Sequence, residues 1–234
     1  MMRTVYLHAG LFFISFFIGQ YIIAQDAAAL LEKVKYKMNT VQDYAAKGTM
    51  KTDVVFIKVP VAPIESYYMK PDKFQITRKS GVSLLPKGGI GINLSSLILT
   101  SDYSVIDAGE MVIEKTKLKI IKLIPLSDES NIVLTTLYID PQQFLIKKAS
   151  TTTRENGTYE LNMFYNRYIT WGLPDKVIFQ FNTKDYKLPK GITFEYDDGT
   201  KPADLPKNKK GKVEITYSNY TINKGAGAAA FSRK

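Results

Sequence analysis

Acid–base chemistry with paired carboxylates would fall in this 234-residue chain to Glu195, Asp197 and Asp198, in "EYDDGT". Asp-Asp-Gly-Thr is turn chemistry first, because short polar side chains and glycine close a reversal of the backbone. Other chemistries lack their residues. The chain has no cysteine, and its one histidine, His8, lies in a segment expected to be removed. A mature chain without His or Cys can build no Ser-His-Asp triad, no thiolate nucleophile and none of the usual zinc sites. "KGGIG" (87–91) lacks the Gly-Lys-Ser/Thr ending of a phosphate-binding loop and opens no nucleotide-binding βαβ unit. No spacing supports catalysis. The chain is read as no enzyme, without cofactor or metal.

The residues that do form a group are apolar. "SLLPKGGIGINLSSLILTS" (Ser83–Ser101) joins a proline and three glycines to a dense aliphatic run. Asn93 can cap a short helix in which Leu94, Leu97 and Ile98 fall on one face, and Gly88, Gly89 and Gly91 give it a flexible approach. Such a helix on a glycine hinge reads as a lid, or else as a core plug that never moves. Leu84, Leu85, Ile90, Ile92, Leu94, Leu97 and Ile98 make up this apolar group.

The elements that must position this group follow from the rest of the chain. Residues 1–25 carry one Arg, an apolar core and an Ala24-Gln25 end, the pattern of a secretory signal peptide cut after Ala24 or Gln25. Residues 26–234 are then expected to form a single exported domain, with a basic extension from about residue 200. The chain's net charge of +10 suits anionic headgroups or an acidic protein surface; export argues against nucleic acid. From Asp26, the spacing of Leu30, Leu31, Val34, Met38 and Val41 predicts one amphipathic helix laid on a sheet.

From Tyr44 onward, β-branched and aromatic runs alternate with turn signals, which predicts consecutive antiparallel strands. "YAAKGTMKTDVVFIKV" is expected to end at Pro60 and Pro63, and "MVIEKTKLKIIKLI" to be one run. The shift of apolar phase from Leu118 and Ile120 to Ile121 and Leu123 predicts a bulge there. "NIVLTTLYID" is apolar on both faces, which calls for cover on both. Asn156-Gly157 marks a hairpin. The fold class is α+β, mainly β: a long curved antiparallel sheet with a helix against it.

Three segments, in order, resemble the LolA/LolB-like periplasmic carriers of outer-membrane lipoproteins. They are "YMKPDKFQIT", with its basic-Pro-x-x-Phe element at Lys70, Pro71 and Phe74; "LTTLYIDPQQFLIKKASTTTRENGTYELNMFY"; and "LPDKVIFQFNTKDYKLPKGITFEYDD", with Phe179, Phe181, Pro189 and Gly191. The likeness covers roughly residues 26–198. It implies an unclosed β-barrel whose apolar concavity, capped by short helices, holds the acyl chains of a lipoprotein in the periplasm. It also implies that Leu84, Leu85, Ile90, Ile92, Leu94, Leu97 and Ile98 line or cap that concavity, with Phe74 and Lys70 at its mouth and Lys70 latching the lid. Such a carrier would be a monomer working between an inner-membrane donor and an outer-membrane acceptor. The physics agrees: three acyl chains expose several hundred Å² of hydrocarbon, at roughly 25 cal/mol per Å². The competing reading is a non-catalytic envelope module that grips a protein partner through a basic patch or a sheet edge.

Overall fold

The computed structural model describes residues 26–54, 57–78, 94–182 and 210–232. Helix α1 (26–39) is followed by β1 (Asp43–Val54), β2 (Ile57–Met69) and β3 (Lys73–Arg78). Helix α2 (Leu94–Thr100) precedes six strands: β4 (Tyr103–Ile113), β5 (Thr116–Pro125), β6 (Ile132–Asp140), β7 (Leu145–Thr153), β8 (Gly157–Phe164) and β9 (Lys176–Asn182). A 3-10 turn, Ile169–Trp171, lies between β8 and β9; β10 (Lys210–Ile222) and α3 (Ala226–Ser232) end the described chain. All ten strands form one antiparallel, unclosed sheet in the order β3-β2-β1-β10-β9-β8-β7-β6-β5-β4. The fold is α+β, mainly β, as the strand pattern predicts.

The helix pattern holds in α1. Leu30, Leu31 and Val34 are buried, Met38 packs against the core, and Val41 continues the apolar face beyond the last turn. That face meets Tyr44, Met50, Ile64, Tyr159, Phe179, Phe181, Ile215 and Tyr217 in one core on one face of the sheet. Of the lysines of α1, Lys33 is exposed, whereas Lys35 and Lys37 are partly covered.

Several strand boundaries differ from the sequence reading, each for a physical reason. β2 runs straight through Pro60 and Pro63, because its pairing with β3 begins only at Ile64, and a proline without an amide donor fits a strand free on one side. "MVIEKTKLKIIKLI" is not one run but a hairpin. Glu114 and Lys115, at φ 46° and 66°, close a two-residue turn between Ile113 and Thr116, and neither residue type advertises it. The extra residue behind the phase shift lies on β4: Asp107 faces Ile121 and Glu110 faces Lys119, leaving two residues opposite Ile120. In β6 only one face is deeply covered. Leu137 and Ile139 are fully buried, Ile132, Leu134 and Tyr138 are half-exposed, and a register shift between Ile132 and Leu134 leaves Val133 exposed. Asn156-Gly157 does end a hairpin, with Gly157 at φ 63°.

The segment from Lys210 onward is not appended to the sheet but lies in its middle. β10 pairs with β1 along one side and with β9 along the other. A polar joint fixes its far end. Asn223, at φ 54°, accepts the Gln42 N–H at 2.7 Å through its side-chain oxygen and donates to the Thr40 carbonyl at 2.8 Å. Asparagine tolerates this left-handed backbone, so one residue ties the end of α1 and the start of β1 to the end of β10.

Candidate functional site

An apolar cavity of about 110 Å³ lies between the sheet and its helices. The sheet supplies Tyr44, Tyr68, Phe74, Ile146, Met163, Val177 and Tyr217; α1 supplies Val34, Lys37 and Met38; α2 supplies Leu94 and Ser95. Tyr220, Phe144 from the β6–β7 turn, and the Trp171–Pro174 segment complete the wall.

Aromatic rings set its shape. Tyr44 stacks on Tyr68 with centroids 5.4 Å apart, and Tyr220 meets Tyr44 edge-on at 5.2 Å, Tyr217 at 4.9 Å and Tyr168 at 4.8 Å. Several hydroxyls are anchored on the backbone: Tyr165 donates to the Ile146 carbonyl at 2.8 Å, Tyr220 to Pro174 at 2.8 Å and Tyr68 to Pro71 at 3.2 Å. Burial pushes the phenol of Tyr217 up to about 12 and that of Tyr44 well above its ordinary value. These rings stay neutral at physiological pH. The wall is therefore apolar with a few phenol donors, suited to hydrocarbon and not to a charged reactant.

The Trp171 segment is held by one arginine. Arg167 Nε meets Asp175 Oδ1 at 2.6 Å, while its two terminal nitrogens donate to the carbonyls of Ser218 at 2.6 Å and Tyr217 at 2.7 Å. The other oxygen of Asp175 accepts the Asn166 and Arg167 amides at 2.8 and 3.0 Å. A fork of this geometry fixes the loop to β10, so the cavity wall moves with the sheet.

Helix α2 closes another side. Leu97 and Ile98 are buried in the common core, and Leu94 packs on its margin. Two polar ties of α2 are seen. The Ser95 side chain is hydrogen-bonded to the Tyr68 phenol, and the Tyr103 hydroxyl donates to the Ile98 carbonyl at 3.0 Å. The Lys35 ammonium lies 5.2 Å over the Tyr103 ring, bringing α1 into the same contact.

The structure brings together part of the predicted site. Phe74 and Leu94 line the cavity; Leu97 and Ile98 stand behind it in the core. Leu84, Leu85, Ile90, Ile92, the hinge glycines, the carboxylates of 195–198 and the expected signal peptide lie outside the described residues. Lys70 sits half-buried at the end of β2, its backbone N–H bonded to the Gln42 carbonyl at 2.8 Å. Tyr68 and Tyr103 are hydrogen-bonded to α2. Sequence reasoning missed the tyrosines, although Tyr217 follows Val213 and Ile215 on one face of a strand. It missed Trp171 and Phe144 because loop residues carry no periodicity.

No family model and no curated protein matches the chain. Solved structures do. A domain assigned to the outer membrane lipoprotein-sorting proteins of Vibrio parahaemolyticus superposes with a TM-score of 0.58 at 9% identity, over 90% of this chain and 97% of that one. A LolA superfamily protein from Nitrosomonas europaea gives 0.52 at 11%, over 84% and 93%. The fold is LolA-like. A DUF1329 family protein from Desulfovibrio piger shares it, with a TM-score of 0.56 at 14% identity over 89% of this chain and 98% of that one. In this LolA-like frame, the space between open sheet and helices is the cavity described above. Among the described residues no helix is long and apolar enough to cross a membrane, and no cluster of three His, Asp or Glu could hold a metal.

Proposed function

We propose that the protein is a non-enzymatic carrier that shields acyl chains in the cavity between its sheet and its helices. Its cargo is an acylated lipoprotein or another lipid-bearing molecule crossing the periplasm from an inner-membrane donor to an outer-membrane acceptor. The observation that carries this reading is the apolar cavity on the core face of an open sheet, closed on one side by a short helix that meets it through Leu94, Leu97 and Ile98. A carrier must hide hydrocarbon and give it back, so strong apolar walls and a weakly tied cover are what it needs. At about 110 Å³ the cavity holds no more than a small apolar group, whereas ligand pockets of drug-sized molecules run from about 300 Å³ upward. Loading therefore displaces α1 or α2 from the sheet. The LolA-like fold is consistent with this, as are lipoprotein-sorting and LolA superfamily proteins among the structures that share it.

The test is native mass spectrometry of the mature protein purified from its own envelope without detergent. A bound lipid or acylated peptide supports the reading and identifies the cargo. An empty protein that also takes up no fluorescent acyl probe overturns it, in favour of a protein-binding module.

A further inference from the structure

Three lysines lie around the cavity wall, and among the described residues none of them forms an ion pair. Lys33 Nζ lies 5.3 Å over the Phe144 ring, Lys37 Nζ donates to the Gln143 carbonyl at 2.9 Å, and Lys147 Nζ lies 5.3 Å over the Tyr165 ring. Elsewhere the described lysines of the sheet are often matched: Lys117 with Glu110, Lys119 with Asp107, Lys148 with Glu160, Lys176 and Lys212 with Glu214. The acids near the three are engaged otherwise. Glu32 pairs with Lys35, and Asp140 Oδ1 accepts the amides of Gln142 at 3.0 Å and Gln143 at 3.1 Å. Burial lowers the Lys37 ammonium and nearby Lys147 adds to this, while the Asp140 carboxylate acts the other way.

The apolar half of the mouth is built around the same residues. Phe144 stands at φ 54°, a backbone an aromatic residue rarely adopts, and its ring lies on the cavity wall beneath Lys33. The Lys37 stem passes Gly172, at φ 65°, at ordinary van der Waals distance: a Cβ placed there would lie 3.5 Å from Lys37 Cγ. Trp171, half-exposed beside it, lines the cavity too. The apolar interior adjoins a rim where the three ammonium groups outnumber the nearby Asp140 carboxylate.

We infer that Lys33, Lys37 and Lys147 form an anion subsite at the cavity mouth, and that the cargo is an anionic amphiphile whose carboxylate or phosphate sits there while its chain enters the cavity. This inference rests on the carrier reading and narrows it. Trp171 is the only tryptophan of the chain and lines the cavity, so its fluorescence reports filling directly.

The experiment titrates the full mature chain, freed of lipid, with monomeric myristate and with its neutral methyl ester. Myristate is expected to bind about tenfold more tightly, the factor that one charge-assisted contact supplies. The preference should shrink towards one in the K33Q/K37Q/K147Q variant, and in wild type as salt is raised. A second variant, K47Q/K51Q/K122Q, removes as much charge from exposed positions elsewhere and should keep the preference. Equal binding of the two probes by wild type overturns the subsite, as does a preference that survives K33Q/K37Q/K147Q. Equal binding, with phosphatidylglycerol vesicles captured by wild type and released by K33Q/K37Q/K147Q, assigns the lysines to a membrane surface and also overturns it. Failure of wild type to bind either probe is a different result and overturns the carrier reading itself.

Discussion

Gly227 opens α3 at a place no other residue fits. A Cβ there would collide with the Tyr68 carbonyl oxygen and stand 2.7 Å from that of Tyr44. Those are backbone atoms of β2 and β1 that cannot turn aside, so α3 seats itself against the sheet through a missing side chain. Gly227→Ala is expected to lower stability by about 1–3 kcal/mol, the range for overpacking a fitted contact, read as a fall in denaturant midpoint at constant slope. An unchanged midpoint would mean that α3 is not docked in solution. Phe179 is the opposite case, a ring fully buried at the centre of the core and 5.4 Å from both Tyr159 and Phe181. Its replacement by Ala should cost about 3–5 kcal/mol by the same measurement.

At the scale of elements, α2 stands out because seven residues carry both a core contribution and the cover of the cavity. Ile98 is 1% exposed, and a buried unpaired carboxylate is costly enough to drive the helix off the sheet. Ile98→Asp is therefore expected to expose 94–100 to limited proteolysis and weaken acyl-probe binding, with the far-ultraviolet signal of the sheet retained. Retained protection and binding would rule out α2 as the cover. The double variant Ser95→Ala, Tyr103→Phe is milder. Losing two partly exposed hydrogen bonds at about 1 kcal/mol each should raise hydrogen exchange in α2 by one to two orders of magnitude, leaving β6–β9 unchanged. What the sequence conveys about these elements depends on how each is stabilised. The apolar stripe of α1 and the helical spacing of Leu94, Leu97 and Ile98 are local, and both helices lie where that spacing puts them. The Glu114-Lys115 turn and the continuation of β2 through two prolines are decided by the neighbouring strand, or by its absence, and no local rule reveals them. The same holds for the cavity: Phe74 and Leu94 were legible from hydrophobicity. Tyr44, Tyr217 and Tyr220 converge only because strands distant in sequence are neighbours in the sheet.

Over the whole molecule, acid and alkaline stability depend on a few shielded pairs. Lys119 Nζ lies 2.8 Å from Asp107 Oδ2, and both side chains are largely covered. Burial works against the Asp107 carboxylate, but Lys119 and the Gly109 amide outweigh it and hold it below its ordinary value, while Asp107 raises Lys119. A lowered carboxylate stabilises the fold fully above its ordinary pKa and ceases to do so as the pH falls through its native value. A raised ammonium does so below its ordinary pKa and is lost as the pH climbs through its native one. Asp107→Asn should thus flatten the acid limb of a stability–pH curve and Lys119→Gln the alkaline limb, each costing about 1–3 kcal/mol at neutral pH. Unaltered limbs would show that the pair is solvated. The arrangement of the sheet has another consequence. β1 to β3 form one meander and β4 to β9 a second, and only β10 bridges them, with Tyr44 opposite Ile222. A ribosome that has completed β9 has made two unconnected half-sheets. Among the described strands β10 is the last to be made, so the seam closes only after all the others have been synthesised, and the longest-range pairing, that of β1 with β10, comes last.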